Sequence, residues 1–600
     1  MKHKLIILLS LCLSYGSIAQ QSVPFNDLSF WKSTNKSNWQ IVGDVSAELN
    51  KPDAMSSTAG KGILVNIPNP ENRSNLVSVA EYGDVDVSFD FMMATHSNSG
   101  FYLQGRYEVQ LFDSWGVKQP SYGDCGGIYK RRKFIPQEYL YEGHAPRANA
   151  CLAPGLWQHL EISFQAPKFD ATGNKTSNAK ILIAKLNGVI IHENLELTGP
   201  TGGAISETEA PFGPFLIQGD HGAVAFKNLQ VNSFDGKAIT IDPINYSVFY
   251  GKFNEPSAFL SKKPDATGKV DKFTWEVSKQ PNDYAQLFTT NLRIPKAGKH
   301  TFTFQIAGKY SVKINGQSSI SDEWSNSSDR RTVSVDLPEG NVPVEISFYK
   351  FDGWMRPVMG VWIQGPATRT MPFHTLSSVL TVPADDPILM DANTSLVFRS
   401  FTDLYQDGKK LKRVVHAVNV GNPSKLHYTY DLDNGAIAQI WKGDFLNVAP
   451  MWDSRGDGSS RPRGAVLTLN DTPLLANSDD KAIFSDTPSE KAQFRTLGYD
   501  VDEQNLPTFN YRINGNEVED QIRIQEDKYL LRTLSIKNVV NNQVLRLAIG
   551  TSIVKVSDDL YSIDDKQYYI RATGASIEQL AGKSVLTVPA SAKVQYAIIW

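Results

Sequence analysis

Hydrophobic and polar residues alternate with a period of two along most of this chain, and no long stretch repeats with the period of a helix. The run Gly100 to Leu111, GFYLQGRYEVQL, is the sharpest case. Phe101, Leu103, Tyr107, Val109 and Leu111 fall on one face, and Tyr102, Gln104, Arg106, Glu108 and Gln110 fall on the other. The pattern predicts one strand with an apolar back and a polar front. That front carries planar donors and acceptors with one carboxylate, where a solvated face usually carries Lys, Thr, Ser and Glu. It suits a sugar, and we read it as the floor of a carbohydrate site. DVDVSFDFMM (84–93) alternates in the same way, with Asp86, Ser88 and Asp90 on one face, and could lie beside the first strand and extend its floor.

Turn signals agree with strands. Asn187-Gly188, Asn315-Gly316 and Asn514-Gly515 each sit between alternating runs. Each predicts a two-residue hairpin, because both central residues of such a turn need positive φ. The chain is therefore read as all-β. Its 600 residues exceed one domain, and the reading is of β-sandwich domains in series. The first spans 24–235, residues 236–244 form a linker, and the others span 245–372 and 380–600. Within the first, SYGDCGGIYKRRK (121–133) begins a long irregular passage to Pro154. A loop of that size is usually functional or disordered, and its aromatic content argues against disorder.

The first nineteen residues read as a secretory signal. Lys2 and Lys4 precede the apolar run Leu5 to Leu13, and Ser17-Ile18-Ala19 is a small-x-small cleavage site. Leu11 before Cys12 disfavours a lipoprotein signal. No later run is long and apolar enough to span a bilayer as a helix. The expected location is secreted or periplasmic. Loss of Lys2 and Lys4 leaves 58 basic against 63 acidic residues, so nothing points to nucleic acid or an anionic membrane. Cys125 and Cys151 alone remain after cleavage, and in an oxidising compartment they form either a disulfide or two buried thiols.

The third domain carries IWKGDFLNVAPMWDSRGDGSSRPRG (440–464). Trp441 and Trp452 can stack on sugars, but burial at the edge of a core is the better reading for Trp. Arg455-Gly456-Asp457 is read as a chance tripeptide. Asp453 and Asp457 lack the closing acidic residue of a calcium loop.

Conventional catalytic motifs are missing: there is no Gly-x-Ser-x-Gly, no His-Glu-x-x-His and no Glu-x-Asp-x-x-Glu strand. Glu108 is the one carboxylate centred on the polar face, so a two-carboxylate glycosidase would need a partner such as Asp113 or Asp86. A second candidate is Gln218-Gly219-Asp220-His221-Gly222, after the apolar Phe215-Leu216-Ile217. Its glycines allow a sharp turn and close approach, and its His can serve as a base or metal ligand. Read by itself, the segment is more simply a turn in which Asp220 and His221 bond their own backbone.

Five blocks change that balance: NSGFYLQGRYEVQLFDSWG (98–116), GDCGGIYKR (123–131), PGLWQHLEISFQAPKFD (154–170), LNGVIIHENLELTGPTGG (186–203) and GPFLIQGDHGAVAFKNLQV (213–231). In this order they resemble the concanavalin-like 3-keto-disaccharide hydrolase family, also described as 3-keto-glucoside 1,2-lyase and 3-keto-2-hydroxy-glucal hydratase. The resemblance covers 24–235 and implies a jelly roll acting on an oligosaccharide or glycoside. A ketone at C3 acidifies the C2 hydrogen, so a base can remove it and the C1 substituent leaves. The product is a 2-hydroxy-3-keto-glucal, and addition of water completes a net hydrolysis. Such chemistry needs a base, a group for the enolate oxygen and an acid for the leaving oxygen. The resemblance implies Glu108 or His221 as base and Arg106 at the enolate. Gln104, Gln110, Gln218 and Tyr102 would hold hydroxyls, and Asp113 and Tyr129 would border the site. Asp220 would orient His221 or help bind a divalent metal, which could polarise the ketone. His144 in EGHAPRANA is a further candidate to reach the site. A non-catalytic, lectin-like use of the same face is the alternative. Residues 245–372, with LRIPKAGKHTFTFQIAGKYSVKINGQ and LPEGNVPVEISFYKFDGWMRPVMGVWI, resemble the protective-antigen-type β-sandwich. Where that family often carries an Asp-Asp pair, this chain reads Ile306-Ala307-Gly308.

Overall fold

A computed structural model describes residues 21–600, apart from 33–36, 70, 135–138, 235, 256, 352, 381–386, 407, 453–455, 470–471, 480–483 and 485–492. The leader (1–19) and the loop residues Asp453 and Arg455 lie outside the described residues. The fold is all-β, built from sandwiches. Each of the three Asn-Gly pairs has positive φ at both residues and joins adjacent antiparallel strands.

One compact unit combines residues 22–231 with 384–600. Its N-terminal sandwich contains a five-stranded sheet: β1 (Trp31–Lys32), β2 (Leu76–Tyr82), β3 (Asn98–Leu103), β4 (Tyr107–Phe112) and β5 (Gly213–Ile217), in the order β1-β2-β5-β3-β4. The opposing sheet runs Val189–Leu197, Ala179–Leu186, Gln158–Gln165, Val85–Met93, Val224–Ser233, Met55–Asn66 and Trp39–Ala47. Phe89 of that sheet packs on Phe101, which packs on Phe215, at ring separations of 4.7 and 5.1 Å.

Two expectations need correction here. Gly100 to Leu111 is not one strand but the hairpin β3–β4, which turns at Gln104, Gly105 and Arg106, the first two with φ of 53° and 61°. Leu103 pairs with Tyr107 and Phe101 with Val109. Cross-strand partners share a face, and the closing pair is four residues apart in sequence. The parity of the alternation therefore passes through the turn unbroken, which is why period two hides it. Residues 84–93 likewise do not lie beside this hairpin. They pair with Gln158–Gln165 in the other sheet, and Asp90 accepts a hydrogen bond from His159 at 2.6 Å. Alternation fixes which side chains are buried but not which sheet buries them.

Residues 384–600 of the same unit form three further sheets. They hold the end of the long irregular passage. Lys442 Nζ donates to Cys151 O at 3.0 Å and Trp115 Nε1 to Trp600 O at 3.1 Å, while Ala153 and Leu156 enter the C-terminal apolar core. Trp441 is buried, as read, whereas Trp452 is 60% exposed. The other unit, 232–383, is itself a sandwich of a larger and a four-stranded sheet, with Ile306 and Ala307 in its interior.

Deep in the C-terminal region, Arg532 and Asp520 form a buried ion pair that also engages Tyr430 at 2.8 Å and Tyr596 at 3.1 Å. Removing one partner strands a buried charge, at a cost of about 3–5 kcal/mol. Asp520→Ala is expected to lower the unfolding free energy measured by urea titration by that amount, and Asp520→Ala with Arg532→Met to recover most of the loss. Equal losses in both variants would assign the effect to packing rather than charge.

Candidate functional site

The polar face of the hairpin is organised by lateral rows across β5, β3 and β4. Leu216, Tyr102 and Glu108 are paired in one row. In the next, Gln218 N donates to Gly100 O at 2.9 Å and Gly100 pairs with Gln110. Gly100 has a specific reason to be glycine: a Cβ there would lie 2.3 Å from Glu108 Oε1. The missing side chain is the space into which the Glu108 carboxyl folds. Beyond β4, Tyr129 N donates to Glu108 O at 3.3 Å and Gly126 and Gly127 bond to Gln110, so the loop after 121 extends the sheet.

Tyr102 and Glu108 are buried, at 1% and 3% exposure. Burial pushes the Glu108 carboxyl up to about 8, opposed by a hydrogen bond with Tyr102 and reinforced by the negative charge of Asp220. Burial likewise raises the Tyr102 phenol, with the Glu108 and Asp220 charges adding to it. Among the described residues no lysine or arginine forms an ion pair with Glu108. The Tyr102 hydroxyl also donates to Gly202 O at 3.2 Å.

Asp220 and His221 form the rim. The turn that carries them is pinned by side chains: Ser99 Oγ donates to Gln218 O, Gly219 N donates to Asn75 Oδ1, and Asn66 Nδ2 reaches Gly219 O and Gly222 O. His221 Nδ1 lies 2.6 Å from Asp220 Oδ1, and the two side chains are 51% and 39% exposed. Asp220 is close enough for its charge to act on both Tyr102 and Glu108. Gln110 Oε1 and Gln218 Oε1 are buried without a protein partner, which leaves two acceptors for hydroxyl donors.

This whole constellation lies inside one segment that a family model recognises. Residues 22–232 match the 3-keto-alpha-glucoside-1,2-lyase-like domain. That match spans the N-terminal sandwich. Three solved structures from Parabacteroides distasonis ATCC 8503, each described as a "putative glycosyl hydrolase", align with the chain. They are 20%, 18% and 16% identical, over 37%, 36% and 35% of this chain and 94%, 99% and 92% of theirs, with TM-scores of 0.24, 0.24 and 0.22. No curated protein matches.

Within the lyase-like domain, the structure brings together Tyr102, Glu108, Gln110, Tyr129, Gln218, Asp220 and His221, and sets other expected residues apart. Arg106 sits in the hairpin turn, where its Nε donates to Thr208 O at 2.7 Å and its Nη1 to Gln104 O at 2.9 Å. Gln104 donates to Tyr82 O and Pro211 O from the same turn. Thr208 and Pro211 lie outside any strand and Tyr82 ends β2, so the two side chains tie the turn to these neighbouring segments. Asp113 accepts from the amides of His96 and Trp115 and so fixes the loops at the far end of β4. His144 pairs its backbone with Ile128, one residue from Tyr129. Cys125 and Cys151 are free buried thiols, not a disulfide. Among the described residues no three His, Cys, Asp or Glu side chains gather as a metal site requires. Asp220 and His221 offer two donors at most, so the residues present do not assemble the expected metal site.

Sequence reasoning missed the strap Thr201 to Gly203. Thr201 Oγ1 accepts from Glu108 N and donates to Arg106 O, both at 3.0 Å, and a Cβ on Gly203 would lie 2.7 Å from Tyr102 Oη. The Gly-rich run TGPTGG (198–203) was the available signal.

A carboxyl with a folded pKa near 8 against an ordinary 4.5 binds its proton more tightly in the native state. Its contribution to stability is complete below 4.5 and is lost as pH rises toward 8. The melting temperature of the wild-type protein is expected to fall across that window. Glu108→Gln should flatten this part of the profile and melt higher than wild type above pH 8. Parallel profiles for the two proteins would place the titration elsewhere.

Proposed function

We propose that the N-terminal domain cleaves 3-keto-glycosides by removing the C2 proton and expelling the C1 substituent, with later addition of water giving net hydrolysis. The observation that carries this reading is the coincidence of the family match with a buried carboxyl–phenol pair beside an exposed His–Asp pair. Proton removal next to a ketone moves an electron pair into a C2–C3 enolate. Re-formation of the ketone then makes the C1–C2 double bond and releases the C1 oxygen, which needs a proton. One base that later returns its proton, and donors for the C3 oxygen, are sufficient. No oxocarbenium ion forms, so a facing pair of carboxylates is unnecessary. Gln110 and Gln218, whose side-chain oxygens have no protein partner, would accept from sugar hydroxyls. The leader expected from the sequence puts this chemistry in the periplasm or outside the cell, on a glycoside or oligosaccharide.

The test compares a chromogenic 3-keto-glucoside with its unoxidised parent. Turnover of the keto compound alone is expected. His221→Ala should reduce it by about 10²–10⁴, the usual contribution of a general acid–base group. Cleavage of the unoxidised sugar would mean a conventional glycosidase, and saturable binding of the keto sugar without turnover would mean a lectin-like module.

A further inference from the structure

Proton removal beside a ketone leaves open which groups serve the C3 oxygen and which takes the proton. Several polar hydrogens near the floor are already committed to acceptors within the protein. Arg106, the residue expected at the enolate, has Nε and Nη1 committed to carbonyls of the turn. The amides of Glu108, Gln218 and Tyr129 are committed to Thr201 Oγ1, Gly100 O and Glu108 O. At the centre of the floor the Tyr102 hydroxyl donates to Gly202 O at 3.2 Å, and its cross-strand partner Glu108 acts on it electrostatically. A phenol has one hydrogen. It satisfies both neighbours when Glu108 is a carboxylic acid that donates to Tyr102 Oη while Tyr102 donates to Gly202 O. An ionised Glu108 would instead draw the phenol's hydrogen away from the strap. Burial without an ion-pair partner, and the nearby Asp220 carboxylate, favour the same neutral form.

Resting on the reading under "Proposed function", we propose that Tyr102 hydrogen-bonds the C3 oxygen as it becomes an enolate, that Glu108 supports Tyr102 as a neutral carboxylic acid, and that His221 is the base. The donor chain runs from Glu108 to Tyr102 and ends on an acceptor, Gly202 O in this structure and the sugar's C3 oxygen when substrate takes that place. A phenol that accepts from an acid is a stronger donor, because successive hydrogen bonds polarise one another. A neutral carboxyl kept at an enolate is an established way to serve an oxyanion at neutral pH. His221 suits the other role. With Nδ1–H donated to Asp220, Nε2 holds a lone pair at the exposed rim. The step balances within these groups. Nε2 takes the C2 proton, the C–H electron pair becomes the enolate, and Tyr102 and Glu108 keep their protons. The departing C1 oxygen leaves with its electron pair and receives the proton from His221. Other charged or titratable groups facing the pair are Asp220 and Tyr129. Glu108 is thus a positioning residue, and Tyr102 and His221 are the catalytic ones.

The full-length protein and its Glu108→Gln, Glu108→Leu, Tyr102→Phe and His221→Gln variants are to be assayed on a 3-keto-glucoside for kcat across pH and for C2 proton exchange in D₂O by NMR. Gln keeps a neutral N–H donor of the same shape, so Glu108→Gln should stay within about tenfold of wild type. Glu108→Leu and Tyr102→Phe should lose about 10²–10³ in kcat, the scale of a lost oxyanion donor. His221→Gln should abolish C2 exchange. The infrared difference between wild type and Glu108→Gln at pH 7 should show a protonated-carboxyl band, a readout independent of turnover. A dead Glu108→Gln with an active His221→Gln, or no such band, overturns the assignment while leaving the lyase reading intact. A wild-type protein inert to 3-keto-glucosides sinks both.

Discussion

A carboxyl group held out of water without a cation is the constraint on which the site depends. Glu108 lies in the space left by Gly100, beneath a rim of half-exposed polar groups, and the Asp220 charge that acts on it has the same sign. Such a group is costly to bury ionised and is kept only where the surrounding structure holds it. Its backbone amide is held by Thr201, its carboxyl by Tyr102, and Tyr102 by Gly202. The strap, the hairpin and the QGDHG turn are therefore linked parts of one device, although they come from three separate stretches of sequence.

Much of the fold was legible because the signals for it are local. Positive φ at Asn-Gly and alternation over six to ten residues need no knowledge of the rest of the chain, and they located hairpins correctly at 187, 315 and 514. The polar floor was legible in outline for the same reason: Tyr102, Glu108 and Gln110 do share a face. What failed was counting strands. A turn whose closing pair lies four residues apart leaves alternation intact, so one run of twelve residues stood for two strands. Gly105 was the only residue in that run that spoke against a continuous strand, and a lone glycine is weak evidence.

Roles were less legible than positions. Arg106 looked like the natural partner of an oxyanion because its type is right for it. Whether its hydrogens are free depends on carbonyls about a hundred residues away, at Thr208, that no local pattern reveals. The same holds for Thr201, an ordinary residue by type that becomes part of the site through two hydrogen bonds. The pairing of Asp220 with His221 is between sequence neighbours and was anticipated, whereas their proximity to Glu108 is set by β5 lying against β3.

The unit that contains the site is assembled from two segments of chain, 22–231 and 384–600, separated by a sandwich with a core of its own. The interruption shapes the route by which the protein is made. As the chain leaves the ribosome, the N-terminal sandwich emerges early, but Ala153, Leu156 and the residues around Cys151 must wait for partners encoded downstream of the insertion. In that interval the intervening sandwich can form alone, since domains generally fold as units in order of synthesis. Joining the separated halves is then cheap in chain entropy, because the cost of closing a long connection grows only with the logarithm of its length. The vulnerable species is the half-made one, with an unfinished apolar edge beside the loop that extends the five-stranded sheet past β4.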